Sequence, residues 1–202
     1  MDVRKATHES GSLFLYLNKY MSFKTLYLTE TKSRVLVVVD IQPSYEKNIH
    51  FKISDFVNFL MESDYSHYIY LYNGPDFGFE DESDIKYWLF EKSEVDMDDL
   101  PEIEWFEKNY AFLRNAMDSD VDEDDIIKVA KLMIGKNISD SRDLKDSDWE
   151  SLDVEDFGED HIFLPDVMDV LKKYNNYDLV GGAEDECLKE VELLLDILGK
   201  DH

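Results

Sequence analysis

The stretch Arg34 to Asp40 reads RVLVVVD, an unbroken apolar and mostly β-branched run that ends in a carboxylate. Successive side chains of a strand face opposite sides of its sheet, so a strand with one wet face alternates apolar and polar residues. A run without alternation fits a central strand of a parallel sheet, buried on both faces. Such a sheet needs helices on its faces and crossovers between its strands.

The following residues supply those crossovers. Ser54 offers an N-cap ahead of Phe56, Val57, Phe59 and Leu60, whose spacing suits a helix packed on a sheet. His67 to Tyr72 returns to strand character before the turn Asn73-Gly74-Pro75, completing a β-α-β unit whose crossover is expected to be right-handed. A helix is expected around Ile85 to Phe90 and a third core strand over Ile103 to Phe106, with Lys108 just beyond it.

Residues 117–160 are richer in Asp and Ser and read as an acidic insertion with its own helix, where positions 126, 127, 129, 130, 133 and 134 form one apolar face. Pro165 opens a helix through Leu171, since proline is tolerated in a first turn. Tyr177 to Val180 reads as a strand broken by Gly181-Gly182. A last helix from about Asp185 to Leu198 carries Leu188, Val191, Leu194, Leu195 and Leu198 along one stripe. The alternation predicts an α/β fold, a doubly wound and mostly parallel sheet with flanking helices. Residues 34–200 would form one domain, as a chain of 202 residues allows, and 1–33 an N-terminal extension with strands at 13–17 and 25–29.

Charge narrows the function classes. Asp and Glu number 47 against 21 Lys and Arg, a formal net charge of -26, which repels nucleic-acid phosphates and anionic membranes. Direct nucleic-acid binding and membrane association are therefore not expected. A basic protein partner remains compatible with such a surface. No run approaches the length of apolar residues that a membrane span needs. A single cysteine makes no intramolecular disulfide, so the expected compartment is the cytoplasm.

Open α/β sheets place ligands at the carboxyl ends of their strands, which draws attention to Asp40, Lys108 and Cys187. Cys187 would lie in the first turn of the last helix, where backbone N–H groups favour a thiolate. Lys108 would supply a neighbouring positive charge and Asp40 would take the thiol proton. Each also reads more simply: a lone cysteine on an amphipathic helix as a small buried hydrophobe, the aspartate as a turn residue, the lysine as solvated surface.

The contexts of these residues resemble, in order, three motifs of the isochorismatase-like cysteine hydrolases, the superfamily that includes nicotinamidases. Val35 to Asp40 with Gln42 and Tyr45 resembles the first, a strand ending in Asp, then a Gln and an aromatic. Lys108, Tyr110, Ala111 and Phe112 resemble the second, one residue shorter than the common spacing. LVGGAEDEC, with Gly181, Ala183, Asp185 and Cys187, is similar to the third, Glu184 standing where the family has threonine.

The resemblance implies a three-layer sandwich and a catalytic triad of Asp40, Lys108 and Cys187. It further implies an oxyanion hole from the amides of Ala183 and Cys187, a cis peptide bond entering Ala183, and substrate contacts from Gln42, Tyr45 and Tyr110. The implied substrate is a small molecule, an amide or related acyl compound, and relatives often pair, so a homodimer stays open. Relatives continue past the nucleophile helix, so the sheet is expected to be short at that edge, with the N-terminal strands covering one edge or the other.

Two departures stand out. The family's metal-binding Asp-x-His has no counterpart in YNGPDFGFEDESD, and the histidines at 8, 50, 67, 161 and 202 show no ligand spacing, so neither a metal nor another cofactor is expected. Glu184, Asp185 and Glu186 crowd negative charge beside the thiol, which works against its ionisation. A rival expectation is therefore an inactive relative serving as an acidic protein-interaction module, with nucleic-acid mimicry as one form of it.

Overall fold

The structure, a computed structural model, describes residues 34–75, 78–108, 121–152, 154, 162–182 and 187–202, together with the backbone of 6–7, 13–14 and 22–23. The main sheet holds β4 (Val35–Val39), β5 (His67–Asn73), β6 (Ile103–Lys108) and β7 (Tyr177–Gly181), all parallel. Its order is β3-β7-β4-β5-β6, where β3 (Ser22–Phe23) runs antiparallel to β7. β1 (Ala6–Thr7) and β2 (Leu13–Phe14) form a separate antiparallel pair.

The RVLVVVD run is the central strand, with all five residues of β4 fully buried between β5 and β7. Its two sides serve two cores. Leu36 and Val38 face α1 (Ile53–Glu62) and α2 (Glu82–Ser93), where Phe56, Val57, Leu60, Ile85 and Leu89 complete the layer. Val35, Val37 and Val39 face α3 (Glu123–Lys136), α5 (Met168–Leu171) and α6 (Cys187–Ile197). A short α4 (Asp146–Leu152) lies between α3 and α5 in the chain. At about 1.5–3 kcal/mol for each large apolar side chain fully buried, these two layers are the main source of stability.

The stretch read from sequence as an acidic insertion supplies α3 to the second layer, with Ile126, Val129, Ala130 and Met133 buried against the sheet and α6. Its acidic residues gather in the first turn, where Asp122 caps the helix by accepting from the Asp124 amide, and carboxylates there complement the helix dipole.

Several boundaries differ from expectation, among them the helix expected to open at Pro165, which begins at Met168. Helix α1 starts at Ile53 with Lys52 at the N-cap and no side-chain cap, so Ser54 lies inside the helix. Lys108 is the last residue of β6 rather than the residue after it. Of the expected N-terminal strands, Leu13–Phe14 pairs with Ala6–Thr7, while 15–17 and 25–29 lie outside the described residues; Ser22–Phe23 pairs with β7 at the main sheet's edge.

Chain order fixes where a site can form. From β4 the chain winds outward through β5 to β6, then returns to place β7 on the other side of β4. The connections diverge between β4 and β7, and the carboxyl ends of strands at such a switch point are where open α/β sheets place their ligands. Among the described residues, no helix is long and apolar enough to cross a membrane.

Candidate active site

Asp40 is the first residue past β4, and its backbone is left-handed, with φ of 53°. Aspartate tolerates that region better than most side chains. Its amide donates to Leu71 O at 2.9 Å, which ties the turn to β5, and its side chain is 1% exposed.

Lys108 enters from two strands away. Neighbouring strands lie roughly 4.8 Å apart, so reaching β4 from β6 takes a long side chain. Lys108 is paired in register with Asn73 of β5 and passes over that strand's end, bringing Nζ to 2.7 Å from Asp40 Oδ2. The contact is an ion pair rather than an aligned hydrogen bond, since Asp40 Oδ2 has no partner of hydrogen-bond geometry.

Cys187 begins α6, and the glycine pair before it permits that placement. Gly181 has φ of +93°, and a Cβ there would lie 2.3 Å from Val39 O. Gly182 has φ of +58°, and its Cβ would press on Leu188 N and Cys187 Cβ at 3.1 and 3.2 Å. Glycine thus lets the end of β7 touch the end of β4 and lets Gly182 lie against the start of α6. The Cys187 thiol lies close enough to the Asp40 carboxylate and the Lys108 ammonium to feel both charges.

Asp40, Lys108 and Cys187, far apart in sequence, therefore meet at the carboxyl ends of β4 and β7. Burial pushes the Cys187 thiol up to about 12, helped by the Asp40 carboxylate and opposed by the Lys108 ammonium. This corrects the expectation of a depressed thiol: the ammonium is present, but desolvation and the carboxylates outweigh it. Burial alone would lower Lys108, yet Asp40, Cys187 and Glu190 hold its ammonium above the ordinary lysine value. The resting site is thus a neutral thiol beside a buried ion pair.

Tyr45 lies in the 3₁₀ turn Pro43–Asn48 that follows Asp40. Burial, with Asp40 and Cys187 nearby, raises its hydroxyl well above the usual tyrosine range, so it stays neutral. Its oxygen accepts from Asn73 Nδ2 at 2.9 Å, and its own proton is left to donate.

Gln42 is fully buried and binds protein rather than solvent: Oε1 accepts from Asn73 N at 2.9 Å, and Nε2 donates to Asn73 O at 3.2 Å and Glu80 Oε2 at 3.0 Å. Both of its amide protons are committed, so it braces the ends of β4 and β5. Tyr110, Ala183 and the peptide bond entering Ala183 lie outside the described residues, as do Ala111, Phe112 and residues 184–186.

Two site residues were missed from sequence. Asn73 is 1% exposed and donates to Asp40 Oδ1 at 3.3 Å, while its Oδ1 is buried without a hydrogen-bond partner. Glu190 is 1% exposed, with Oε2 3.7 Å from Lys108 Nζ. Asn73 had a signal, its place at a strand end beside the site strand. Glu190 had only its spacing, one turn past Cys187 on the same helix.

Among the described residues, no group of three or more His, Cys, Asp or Glu is arranged to hold a metal ion. The arrangement that is present suits acyl transfer, with a thiol nucleophile, a carboxylate to take its proton and a fixed cation beside both. The chain matches no family model, no curated protein and no solved structure.

Proposed function

We propose that this protein is a cysteine hydrolase of the isochorismatase-like type, acting on a small amide or related acyl compound without a metal. The observation that carries the reading is the meeting of a buried carboxylate and ammonium with a partly buried thiol at the carboxyl ends of parallel strands. Isolated buried charges are costly, so a lysine and an aspartate buried together next to the chain's one cysteine call for a role beyond packing.

In the reaction, the Cys187 proton passes to Asp40 as sulfur bonds the carbonyl carbon, and the carbonyl π electrons move to oxygen. Collapse of that intermediate expels the amine or alcohol, which takes the proton from Asp40 and leaves a thioester. Water then adds to the thioester, giving a proton to Asp40. The acid departs as the proton returns to sulfur. Lys108 stabilises negative charge on sulfur, and Tyr45 is placed to donate to the substrate.

A thiol that rests protonated fits this scheme, because the nucleophile forms only as substrate arrives and Asp40 accepts the proton. The test is acetylation by 4-nitrophenyl acetate, followed by mass spectrometry. An acetyl group on Cys187 that is lost again in water, and that Asp40→Asn and Lys108→Ala each suppress, supports the reading. Acetylation spread over lysines and indifferent to Asp40 would refute it.

The same raised thiol favours a second reading, an inactive fold whose acidic surface engages a basic protein. Salt-sensitive capture of basic proteins, with no Cys187 acylation, distinguishes it.

A further inference from the structure

Lys108 has two carboxylates at hand. Asp40 Oδ2 is at 2.7 Å and Glu190 Oε2 at 3.7 Å, and all three side chains are no more than 2% exposed. Glu190 sits on α6 one turn beyond Cys187, so nucleophile and second carboxylate are carried by one rigid element. We infer that Glu190 is a positioning residue, the counter-ion that keeps the Lys108 ammonium charged and in place while Asp40 holds the proton taken from Cys187. The inference rests on the hydrolase reading.

The charges require such a group. At rest the thiol is neutral, and Asp40 neutralises Lys108. When the proton moves from sulfur to Asp40, that carboxylate becomes a neutral acid; as sulfur bonds carbon, the negative charge moves on to the carbonyl oxygen. The carboxylate nearest the ammonium is then uncharged, at the moment when the position of Lys108 matters most. A buried ammonium stripped of counter-ions either gives up its proton or swings away. Glu190 is farther from Lys108 than Asp40 is, and the scheme asks no proton of it, so its charge persists through the step.

Glu190 also has a cost that exposes its role. Its negative charge adds to those that hold the proton on Cys187. Removing the charge should free the thiol while weakening the chemistry, two effects of opposite sign. A carboxylate that only packs the helix against the sheet would not produce that split.

The experiment compares Glu190→Gln and Glu190→Asp with the full-length chain, using iodoacetamide to read the thiol and 4-nitrophenyl acetate to read acylation. The groups that set the pH profile are Asp40 past β4, Tyr45 in the turn after it, Lys108 at the end of β6, and Cys187 and Glu190 on α6. For Glu190→Gln we expect faster alkylation at a fixed pH, a profile moved toward lower pH, and acetylation slowed by roughly tenfold or more, in the range seen for loss of a supporting partner. Glu190→Asp keeps the charge and should stay nearer the parent in both assays. Parallel slowing of both reactions, or no change in either, overturns the inference, as does loss of the folded state in both variants. Asp40→Asn separates the two levels: if it abolishes acetylation while Glu190→Gln changes nothing, only the role of Glu190 fails. If Asp40→Asn leaves acetylation untouched, the hydrolase reading fails first.

Discussion

Lys108 Nζ stands 2.7 Å from Asp40 Oδ2, with the lysine side chain 2% exposed and the aspartate 1%. One strand separates their backbones, so this pair ties the end of β6 to the end of β4 across β5. It determines both how the site is held and how the protein responds to pH.

Breaking the pair from one side should be far worse than removing it whole. Lys108→Met leaves Asp40 and Glu190 buried without their cation, a loss of roughly 3–5 kcal/mol. In urea unfolding, the double variant with Asp40→Asn should recover part of that loss, with a coupling of about 1 kcal/mol or more. Additive losses would place the two charges in separate surroundings.

Stability should fall on the alkaline side. The folded Cys187 thiol is raised from 9.0 to about 12, so the fold binds the proton more tightly than the unfolded chain does. That contribution is intact below about pH 9 and is lost as pH rises through the folded value. Lys108 is also raised and acts in the same direction at higher pH. Urea midpoints measured from pH 8 upward should decline, and Cys187→Ser, which does not titrate there, should shallow the first part of the decline.

The turn before the nucleophile should tolerate no side chain. Gly181→Ala places a Cβ 2.3 Å from Val39 O at a positive φ, next to the residue that positions Asp40. Backbone strain alone costs on the order of 1–3 kcal/mol, and the clash adds to it. Thermal unfolding should report the loss, and acetylation of Cys187 should fall even where the variant remains folded.

Gln42→Leu tests the bracing role of that residue. It strands the buried amide and carbonyl of Asn73, at roughly 1–3 kcal/mol for each unsatisfied group. Lower stability with an unchanged KM for 4-nitrophenyl acetate is the expected pattern; a raised KM at full stability would make Gln42 a substrate contact after all.

Much of this was legible in the chain because local chemistry and global position agreed. RVLVVVD has no alternation and lies in the middle of the sheet; the glycine pair before Cys187 marks a turn where a backbone oxygen leaves no room for a Cβ. Glu190 was hidden because the eye follows Leu188, Val191, Leu194 and Leu195 down the helix, and a glutamate among them reads as solvated. Lys108 reaches it from β6, and no local pattern encodes that arrival. Within the acidic stretch, the carboxylates of α3 itself sit in its first turn and its buried face is ordinary core. The thiol's direction was misjudged because a neighbouring cation is visible in a motif, whereas desolvation is visible only once the layers are packed.

The most direct measurement is the pH dependence of Cys187 alkylation in the parent protein and in Asp40→Asn. If sulfur and carboxylate share one proton, the parent should react slowly near neutrality with a midpoint near 12, and the variant's midpoint should drop toward that of an ordinary thiol. Superimposable profiles would mean that Asp40 does not govern the thiol, and the cooperative site would be lost.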